Sequence, residues 1–368
     1  MEAGDRMRIA LITTCLEVGG AERVVTSLAD SFVQRGHEVL IVFLTGEAII
    51  LPKDKKVRVV GLGLNSFGTL FSAYVRLRGL LAAFRPDVVH SHLFHSNILA
   101  RLIRISLRVP LLISSVHNTV EGGRLRMLAY RLTDGLTDIS TNVSHEAVSS
   151  FVEKKAVNEN RMVAIHNGIS TEEFRFCGAA RAELRRALGI DKDCKLIVAV
   201  GKLSEQKDYP NLFNALKRLD PETVRFQAFV VGEGPLKVEL EDKIDSLGLR
   251  DRVRLLGVRH DVPRLMSAAD VFVLPSAWEG FGLVVAEAMA CQRVVVATDC
   301  GGVKEVLGDA GYLVPPRQAK GLRDALHAAL NLSAIDSAEM GRKARRRVQE
   351  LYSIEAAVDK WLNLYTRS

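Results

Sequence analysis

Several features that define other classes of protein are absent from this sequence. No apolar run approaches the roughly 20 residues needed to cross a bilayer, and Met1–Arg6 carry acids in place of the apolar stretch of a secretory signal. The five cysteines are odd in number and include no Cys-x-x-Cys pair, which argues against a disulfide framework and against a zinc site. We therefore expect no signal peptide, free thiols and a cytoplasmic location.

What the chain does contain is a repeated alternation of apolar, β-rich runs with amphipathic helical windows. Its 368 residues, 48% hydrophobic and 25% charged, suit two soluble domains of ordinary size. The predicted strands of the first half are 8–13, 39–44, 57–62, 87–91, 111–116, 138–143 and 162–165. Those of the second half are 196–200, 228–231, 253–256, 271–274 and 294–297. Predicted helices include 21–34, 67–84, 96–107, 338–351 and 354–365.

Near-continuous apolar strands separated by helices indicate parallel sheets that are covered on both faces. Right-handed crossovers then make each half a doubly wound, Rossmann-like domain. The Asn167-Gly168 turn signal, followed by a stretch without periodicity, places the boundary between them at about His166–Ala180. The sequence therefore predicts an α/β protein with two such domains.

In each predicted domain, the loop after the first strand suits an anion. The first loop contains Gly19-Gly20 at a helix start, where glycine backbone and the helix dipole favour negative charge. It is neither Gly-x-Gly-x-x-Gly nor followed by a Walker lysine, so dinucleotide and P-loop sites are disfavoured. The second loop carries Lys202 and Lys207, five residues apart, which could both reach one diphosphate. A tight turn and surface lysines are the plainer alternatives.

The most informative segment is Pro275–Ala290, which follows the predicted strand 271–274. Glu279 precedes a glycine-bearing helix start, and Glu287 lies inside that helix. Carboxylates accept hydrogen bonds from paired sugar hydroxyls, and the first N–H groups of a helix are free to bind phosphate. One element could therefore hold a sugar, a diphosphate and a ribose in sequence.

With the Gly-Lys-Leu-x-x-x-Lys loop and the N-terminal Gly-Gly, the pattern Glu-x-Gly-Phe-Gly-x-x-x-x-Glu resembles the retaining glycosyltransferases of family 4. The resemblance runs from Met7 to about Tyr365. It implies the GT-B fold, in which two Rossmann-like domains face a cleft. Residues 1–168 would be the acceptor-binding domain and 169–350 the nucleotide-sugar-binding domain, with a C-terminal helix, 351–368, returning to the first.

The resemblance also implies roles for individual residues in binding the donor. Glu279 would contact hydroxyls of the donor sugar and Glu287 those of the ribose. Backbone N–H groups of Leu283 and Val284 would bind the diphosphate, and Gly19-Gly20 would face it across the cleft. The remaining implied contacts come from Lys202 and Lys207, which would neutralise the leaving phosphate, and from Val258 and Arg259, which match the nucleobase pocket. Lys202 stands where the family usually has arginine, so it keeps the charge but loses the two-pronged contact.

His117 follows a strand of the first domain and matches the active-site histidine of the family, which lies against the reacting sugar. His90, His92 and His95 offer an alternative metal site. A catalytic metal needs three well-placed ligands, however, and histidines lining a cleft are commoner. The family works without a metal, and the nucleotide sugar is a substrate, so we expect neither metal nor cofactor.

Basic charge is concentrated between Asn65 and Thr133. This segment contains nine arginines and two acids, Asp87 and Glu121, and so carries the whole net charge of +7. Solvated helix faces explain any single arginine. Taken together they favour an anionic membrane leaflet or nucleic acid, but stacking aromatics and a nucleic-acid docking motif are lacking. We therefore expect peripheral binding to the inner face of the cell membrane and no nucleic-acid partner.

The predicted function is transfer, with retention, of a hexose or N-acetylhexosamine from a nucleoside-diphosphate sugar to a hydroxyl. UDP is the expected nucleotide, and a glycan or lipid-linked saccharide the expected acceptor. Two alternatives stay open. One is another GT-B enzyme, such as a sugar-nucleotide epimerase; the other is a non-catalytic protein that binds a nucleotide sugar or nucleic acid.

Overall fold

The computed structural model describes residues 6–17, 19–64, 66–119, 121–220 and 223–366. Met1–Asp5, on which the expectation of no signal peptide rests, lie outside these residues. Contacts divide the chain into two units: Met1–Gly168 with Ile354–Ser368, called the first unit, and Ile169–Ser353, called the second. Among the described residues, no helix is long and apolar enough to span a membrane.

The described residues form thirteen strands and fourteen α-helices. The strands of the first unit are β1 (Arg8–Thr13), β2 (Glu38–Phe43), β3 (Arg58–Gly61), β4 (Val88–His92), β5 (Leu111–Ser115), β6 (Ile139–Asn142) and β7 (Met162–Ala164). Those of the second are β8 (Lys195–Val200), β9 (Phe226–Val231), β10 (Val253–Leu255), β11 (Val271–Leu274), β12 (Val294–Thr298) and β13 (Tyr312–Val314). The helices are α1 (Gly20–Gln34), α2 (Leu70–Phe84), α3 (Phe94–Ile103), α4 (Arg124–Thr133), α5 (His145–Glu153), α6 (Gly178–Ala187), α7 (Tyr209–Lys217), α8 (Lys237–Ser246), α9 (Val262–Ala268), α10 (Leu283–Ala290), α11 (Val303–Leu307), α12 (Ala319–Leu330), α13 (Ala334–Leu351) and α14 (Ile354–Thr366).

The first unit is built on a parallel sheet of order β3-β2-β1-β4-β5-β6-β7. Its central strands are apolar and buried on both faces because helices cover each side. On one face, α2 and α3 pack over side chains such as Ile12, Val42 and Leu112. Elsewhere in the unit, α1 packs against α14. The strand order reverses between β1 and β4, so the loops that follow these two strands flank the switch point where such sheets bind ligands.

The second unit is also built on a parallel sheet, of order β10-β9-β8-β11-β12-β13. Here the switch point lies between β8 and β11, which pair Val271 with Ile197 and Phe272 with Val198. Backbone packs tightly at this edge: a Cβ on Gly232 would lie 2.0 Å from the Gly201 carbonyl oxygen. Glycine is therefore required where the loops after β8 and β9 approach each other.

The two doubly wound parallel sheets predicted from the sequence are confirmed, and each predicted strand is present. The short strand β13 was not predicted. The helix predicted over 96–107 is wrong at its end, because α3 stops at Ile103. The N–H groups of Ser106 and Leu107 both bond back to the Ile103 carbonyl, forming a tight turn three residues before Pro110. Proline disfavours helical backbone just before it, which suits an early end.

Candidate active site

Lys207 and Glu279 meet at the switch point of the second unit. Lys207 closes a short 3-10 turn after β8, and Glu279 lies in the loop after β11. Glu279 Oε1 accepts hydrogen bonds from Lys207 Nζ and, at 2.7 Å, from Ser276 Oγ. The side chains of the ion pair are only 14% and 8% exposed. A buried charge needs such a partner, since an unpaired one costs several kcal/mol.

Neighbouring backbone holds both members of this pair in place. The aliphatic stem of Lys207 crosses Gly201, where a Cβ would lie 2.8 Å from Lys207 Cε. Beyond β12, Gly301 has a φ of +56°, and a Cβ there would lie 1.9 Å from the Glu279 carbonyl oxygen. Any larger residue at Gly301 would therefore displace Glu279. Sequence reasoning missed Gly301, although the Gly301-Gly302 pair follows a predicted strand and could have indicated it.

The N-terminus of α10 lies directly after the Glu279 loop. Gly282, with φ 82° and ψ 49°, turns the chain in the left-handed conformation and has no side chain to cap the helix. The first N–H groups of a helix have no acceptor within it, so those of Leu283 and Val284 suit an anion. Glu287, four residues into the helix, is 8% exposed. Two carboxylates thus bracket a helix start that favours phosphate.

The other residues of the second unit that were predicted to bind the nucleotide sugar lie outside the Lys207–Glu279 pair. Lys202 is exposed, whereas Lys207 from the same loop is turned inward. Val258 is 53% exposed. Arg259 forms a two-pronged pair with Asp261, with N–O distances of 2.8 and 2.7 Å. These hydrogen bonds lower the pKa of Asp261 and raise that of Arg259, so the guanidinium stays charged and fixed.

In the first unit, an acid faces the predicted anion site at Gly19-Gly20. Glu22 lies in the first turn of α1 and is 8% exposed. Its carboxylate lies against Gly19, where a Cβ would be 2.2 Å from Glu22 Oε2, and it accepts a hydrogen bond of 3.2 Å from Cys15 Sγ. Burial, with Glu22 adding to it, raises the pKa of Cys15 to about 11, so the thiol stays protonated. A phosphate bound here would require this carboxylate to move or to be protonated.

His117 belongs to a buried histidine cluster at the switch point of the first unit. Its Nε2 lies 3.0 Å from His92 Nδ1, and the His92 ring lies 4.0 Å from that of His90. Both nitrogens of His90 are occupied by hydroxyls, Tyr365 at 2.7 Å and Ser115 at 2.6 Å. A metal site that uses His90 is thereby disfavoured. Burial lowers the pKa of His117 to about 4 and those of His90 and His92 well below the ordinary value.

The tautomers of His92 and His117 decide which ring donates the hydrogen bond between them and which nitrogen carries an unpaired N–H. Within the described residues, His92 Nε2 and His117 Nδ1 are buried and have no hydrogen-bond partner. If His117 donated through Nε2, the fully buried His92 ring would hold an unpaired N–H. If His92 donates instead, the unpaired N–H lies on Nδ1 of the partly exposed His117. Both nitrogens are buried, so either arrangement leaves one costly unpaired N–H. A ligand that accepts a hydrogen bond from His117 Nδ1 would satisfy the second arrangement.

The arginines between residues 65 and 133 do not all contribute to a surface. Arg101 is fully buried and donates to Ser114 Oγ and Ser140 Oγ. Arg104 pairs with Asp138 at 2.6 Å. The exposed members of the set are Arg76, Arg78, Arg85, Arg108, Arg124 and Arg131. The surface charge is therefore smaller than the sequence count indicates.

Comparisons with known proteins identify the family of this chain and its fold. Residues 18–173 match the family model described as Glycosyltransferase Family 4, and residues 180–347 match Glycosyl transferases group 1. An uncharacterized glycosyltransferase of Methanocaldococcus jannaschii is 27% identical over 98% of each chain. The N-acetyl-alpha-D-glucosaminyl L-malate synthase of Bacillus anthracis is 25% identical over 98% of this chain and 97% of its own.

Among solved structures, Anabaena HepE in complex with UDP and glucose is similar over 99% of this chain and 100% of its own. The TM-score is 0.87 at 20% sequence identity. At that identity the likeness establishes the fold.

Proposed function

Because the chain belongs to glycosyltransferase family 4 and has the GT-B fold, we propose that it transfers a hexose or N-acetylhexosamine from a UDP-sugar to a hydroxyl, with retention and with release of UDP. The two family-model matches confirm the family predicted from the sequence motifs, and the likeness to HepE confirms the predicted fold. The observation that carries the proposal is the buried Lys207–Glu279 pair beside the N-terminus of α10. UDP and a hexose are supported by the HepE complex, and an N-acetylhexosamine by the name of the Bacillus anthracis relative.

In this proposal the second unit binds the donor. Glu279 accepts hydrogen bonds from hydroxyls of the sugar, and Glu287 accepts those of the ribose. The N–H groups of Leu283 and Val284 bind the diphosphate between them. Exposed Lys202 turns toward the leaving phosphate, while Val258 and Arg259 contact the base. Arg259 is held by Asp261, so it contacts the base through its remaining edge or face.

These residues stabilise the negative charge of the departing diphosphate. As the bond between the anomeric carbon and the diphosphate breaks, negative charge accumulates on the phosphate oxygens. Lys207 and the helix start are positioned before that moment, so they need no reorganisation to stabilise it. The acceptor hydroxyl then attacks from the side that the diphosphate leaves, which retains the configuration, and a phosphate oxygen takes its proton. No metal is required, because Lys202, Lys207 and the helix supply the positive charge.

In the first unit, which binds the acceptor in this proposal, His117 donates from Nδ1 to the sugar being transferred. The acceptor is a glycan or lipid-linked saccharide, presented at an anionic membrane surface on the cytoplasmic side. The exposed arginines of the segment 65–133 support this location, at about 1 kcal/mol for each basic residue near such a surface.

The test of donor binding compares two conservative substitutions. Glu287→Gln should weaken binding of free UDP about tenfold or more, because a carboxylate that accepts two ribose hydroxyls is replaced by an amide with one acceptor. Glu279→Gln should leave UDP affinity nearly unchanged and chiefly lower the transfer rate, because its partner is absent from UDP. Calorimetry of both variants with UDP gives the answer.

Thermal melts of both variants provide the control for this comparison. Glu279→Gln breaks the buried pair with Lys207, so this variant should lose stability whichever role Glu279 has. If the two glutamates are only structural, neither variant distinguishes UDP from UDP-sugar. Equal losses of UDP affinity would also contradict the assignment. A wild-type protein that binds UDP-sugar but releases no product with any acceptor would be a sensor and not a transferase.

A further prediction concerns His117. His117→Ala should retain UDP affinity but lower turnover roughly a hundredfold or more, the usual effect of removing one preorganised donor. His117→Asn, which keeps a side-chain N–H, should recover part of the loss. Loss of UDP binding in a folded His117→Ala protein would show that the placement is wrong.

A further inference from the structure

Helix α4 exposes a stripe of leucines that nothing in the described residues covers. Leu125 is 82% exposed, Leu128 48% and Leu132 75%. Spacings of three and four residues place them on one side of the helix. The opposite side is conventional core, with Met127 9% and Tyr130 0% exposed. The helix is therefore apolar toward the unit and apolar again toward solvent.

Basic side chains accompany this stripe. Arg124 and Arg131, seven residues apart, are exposed and border it along one side. The third arginine of the helix, Arg126, instead lies over the Phe94 ring at 4.9 Å. Helix α4 carries no acid. The outward face thus combines three leucines with two arginines for which the described part of the chain provides no salt bridge.

Helix α3, which contacts α4, and the residues just after it also expose apolar and basic side chains. Leu102 in its last turn is 39% exposed, and Ile105 just after it is 70% exposed. Arg108 follows in the same exposed segment. Apolar side chains with neighbouring arginines are the composition of helices that lie in the headgroup layer of a bilayer.

We propose that α4 lies in the plane of an anionic membrane, with Leu125, Leu128 and Leu132 inserted below the headgroups. Arg124 and Arg131 then contact lipid phosphates. The inference rests on the proposed function, which supplies the membrane partner. There, membrane binding was attributed to all the exposed arginines of the segment 65–133; here it is attributed to one inserted helix.

Charge and shape favour lipid over the other possible occupants. In a two-fold contact between copies, each stripe would meet its own image. That contact would bring Arg124 and Arg131 near their counterparts with no acid on the helix to balance them. A nucleic acid would be bound through phosphates and stacked bases, yet the only aromatic side chain of α4, Tyr130, is buried. An anionic bilayer uses both the leucines and the arginines.

The experiment is vesicle flotation of the full chain, with phosphatidylcholine alone or mixed with phosphatidylglycerol. The double substitution Leu125→Ser with Leu132→Ser should lower the partition coefficient about tenfold or more, because apolar groups no longer enter the acyl boundary. Arg124→Gln with Arg131→Gln should lower it about 30-fold on anionic vesicles only. High salt should release the leucine variant completely and the wild type only in part.

Val238→Ser with Ile335→Ser is the matched control. These side chains are 69% and 76% exposed in the second unit, so the control removes similar apolar surface elsewhere and should float like the wild type. A leucine variant that also floats like the wild type would overturn the proposal. So would light scattering that shows a wild-type dimer abolished by the leucine substitutions, or tighter binding to RNA than to vesicles. Calorimetry with UDP separates the two proposals, since failure of UDP binding would leave the flotation result intact.

Discussion

Replacing Lys207 by methionine is expected to lower the free energy of unfolding by about 3 kcal/mol or more, because the buried Glu279 carboxylate loses its cation. The same variant should lose at least about a hundredfold in turnover, since the charge that stabilises the departing diphosphate is gone. Urea unfolding and product formation measure the two effects separately. Both are large because the pair is buried.

The double variant Lys207→Met with Glu279→Gln separates structure from catalysis. With neither charge present, the burial penalty disappears, and stability should return to within about 1 kcal/mol of the wild type. Turnover should not recover. If turnover returned together with stability, the pair would be a structural ion pair and the donor assignment would fail.

Lys343→Met is a control for removing a lysine as such. Lys343 pairs with Asp309 at 2.7 Å in the same unit, but the two side chains are 47% and 80% exposed. Exposed pairs contribute at most about 1 kcal/mol. The Lys343→Met protein should therefore match the wild type in turnover and nearly match it in stability.

Much of the fold could be predicted because the core strands are apolar over their whole length. Runs such as Val271–Leu274 are buried on both faces, and a doubly covered parallel sheet needs such runs. Strand β13 was not predicted, although the equally short β7 and β10 were. The end of α3 escaped because Leu107 and Ile105 continue the helical pattern beyond the point where the chain turns.

The residues of the candidate site were more predictable than their contacts. Lys207 and Glu279 were both predicted, but they are 72 residues apart, and they meet only because the sheet order makes β8 and β11 neighbours. Spacing could not tell that Lys207 turns inward while Lys202 faces solvent, since the 3-10 turn at Glu205–Lys207 decides this.

Charge patterning was the weakest guide. Arg101 fits a solvated helix face by sequence, yet it is fully buried. Its partners, Ser114 and Ser140, come from two neighbouring strands. The Glu22 carboxylate likewise occupies the helix start at Gly19-Gly20, where an anion-binding site was predicted from the sequence. The position of Arg101 depends on tertiary contacts that no local pattern records, whereas Glu22 lies only three residues from Gly19.

Lowering the pH from 7 to 5 is expected to destabilise the protein through its buried histidines. Burial lowers the pKa of His117 from 6.5 to about 4, and burial with neighbouring histidines lowers those of His90 and His92 well below the ordinary value. A depressed pKa means that the unfolded chain binds protons more readily. The stability is therefore complete above pH 6.5 and, for His117, is lost as the pH falls toward 4. Between pH 7 and 5 this amounts to about 2 kcal/mol for His117.

The variant His117→Gln isolates that contribution. Its free energy of unfolding should fall by about 2 kcal/mol less than the wild-type value when the pH drops from 7 to 5, whatever its stability at pH 7. His260→Gln, at an exposed histidine of the second unit, should keep the wild-type dependence. Urea unfolding of the three proteins at both pH values measures the difference. If His117→Gln and the wild type lose stability in parallel, His117 takes up a proton in the folded protein as readily as in the unfolded chain, and a His92–His117 pair that stays neutral at pH 5 is ruled out.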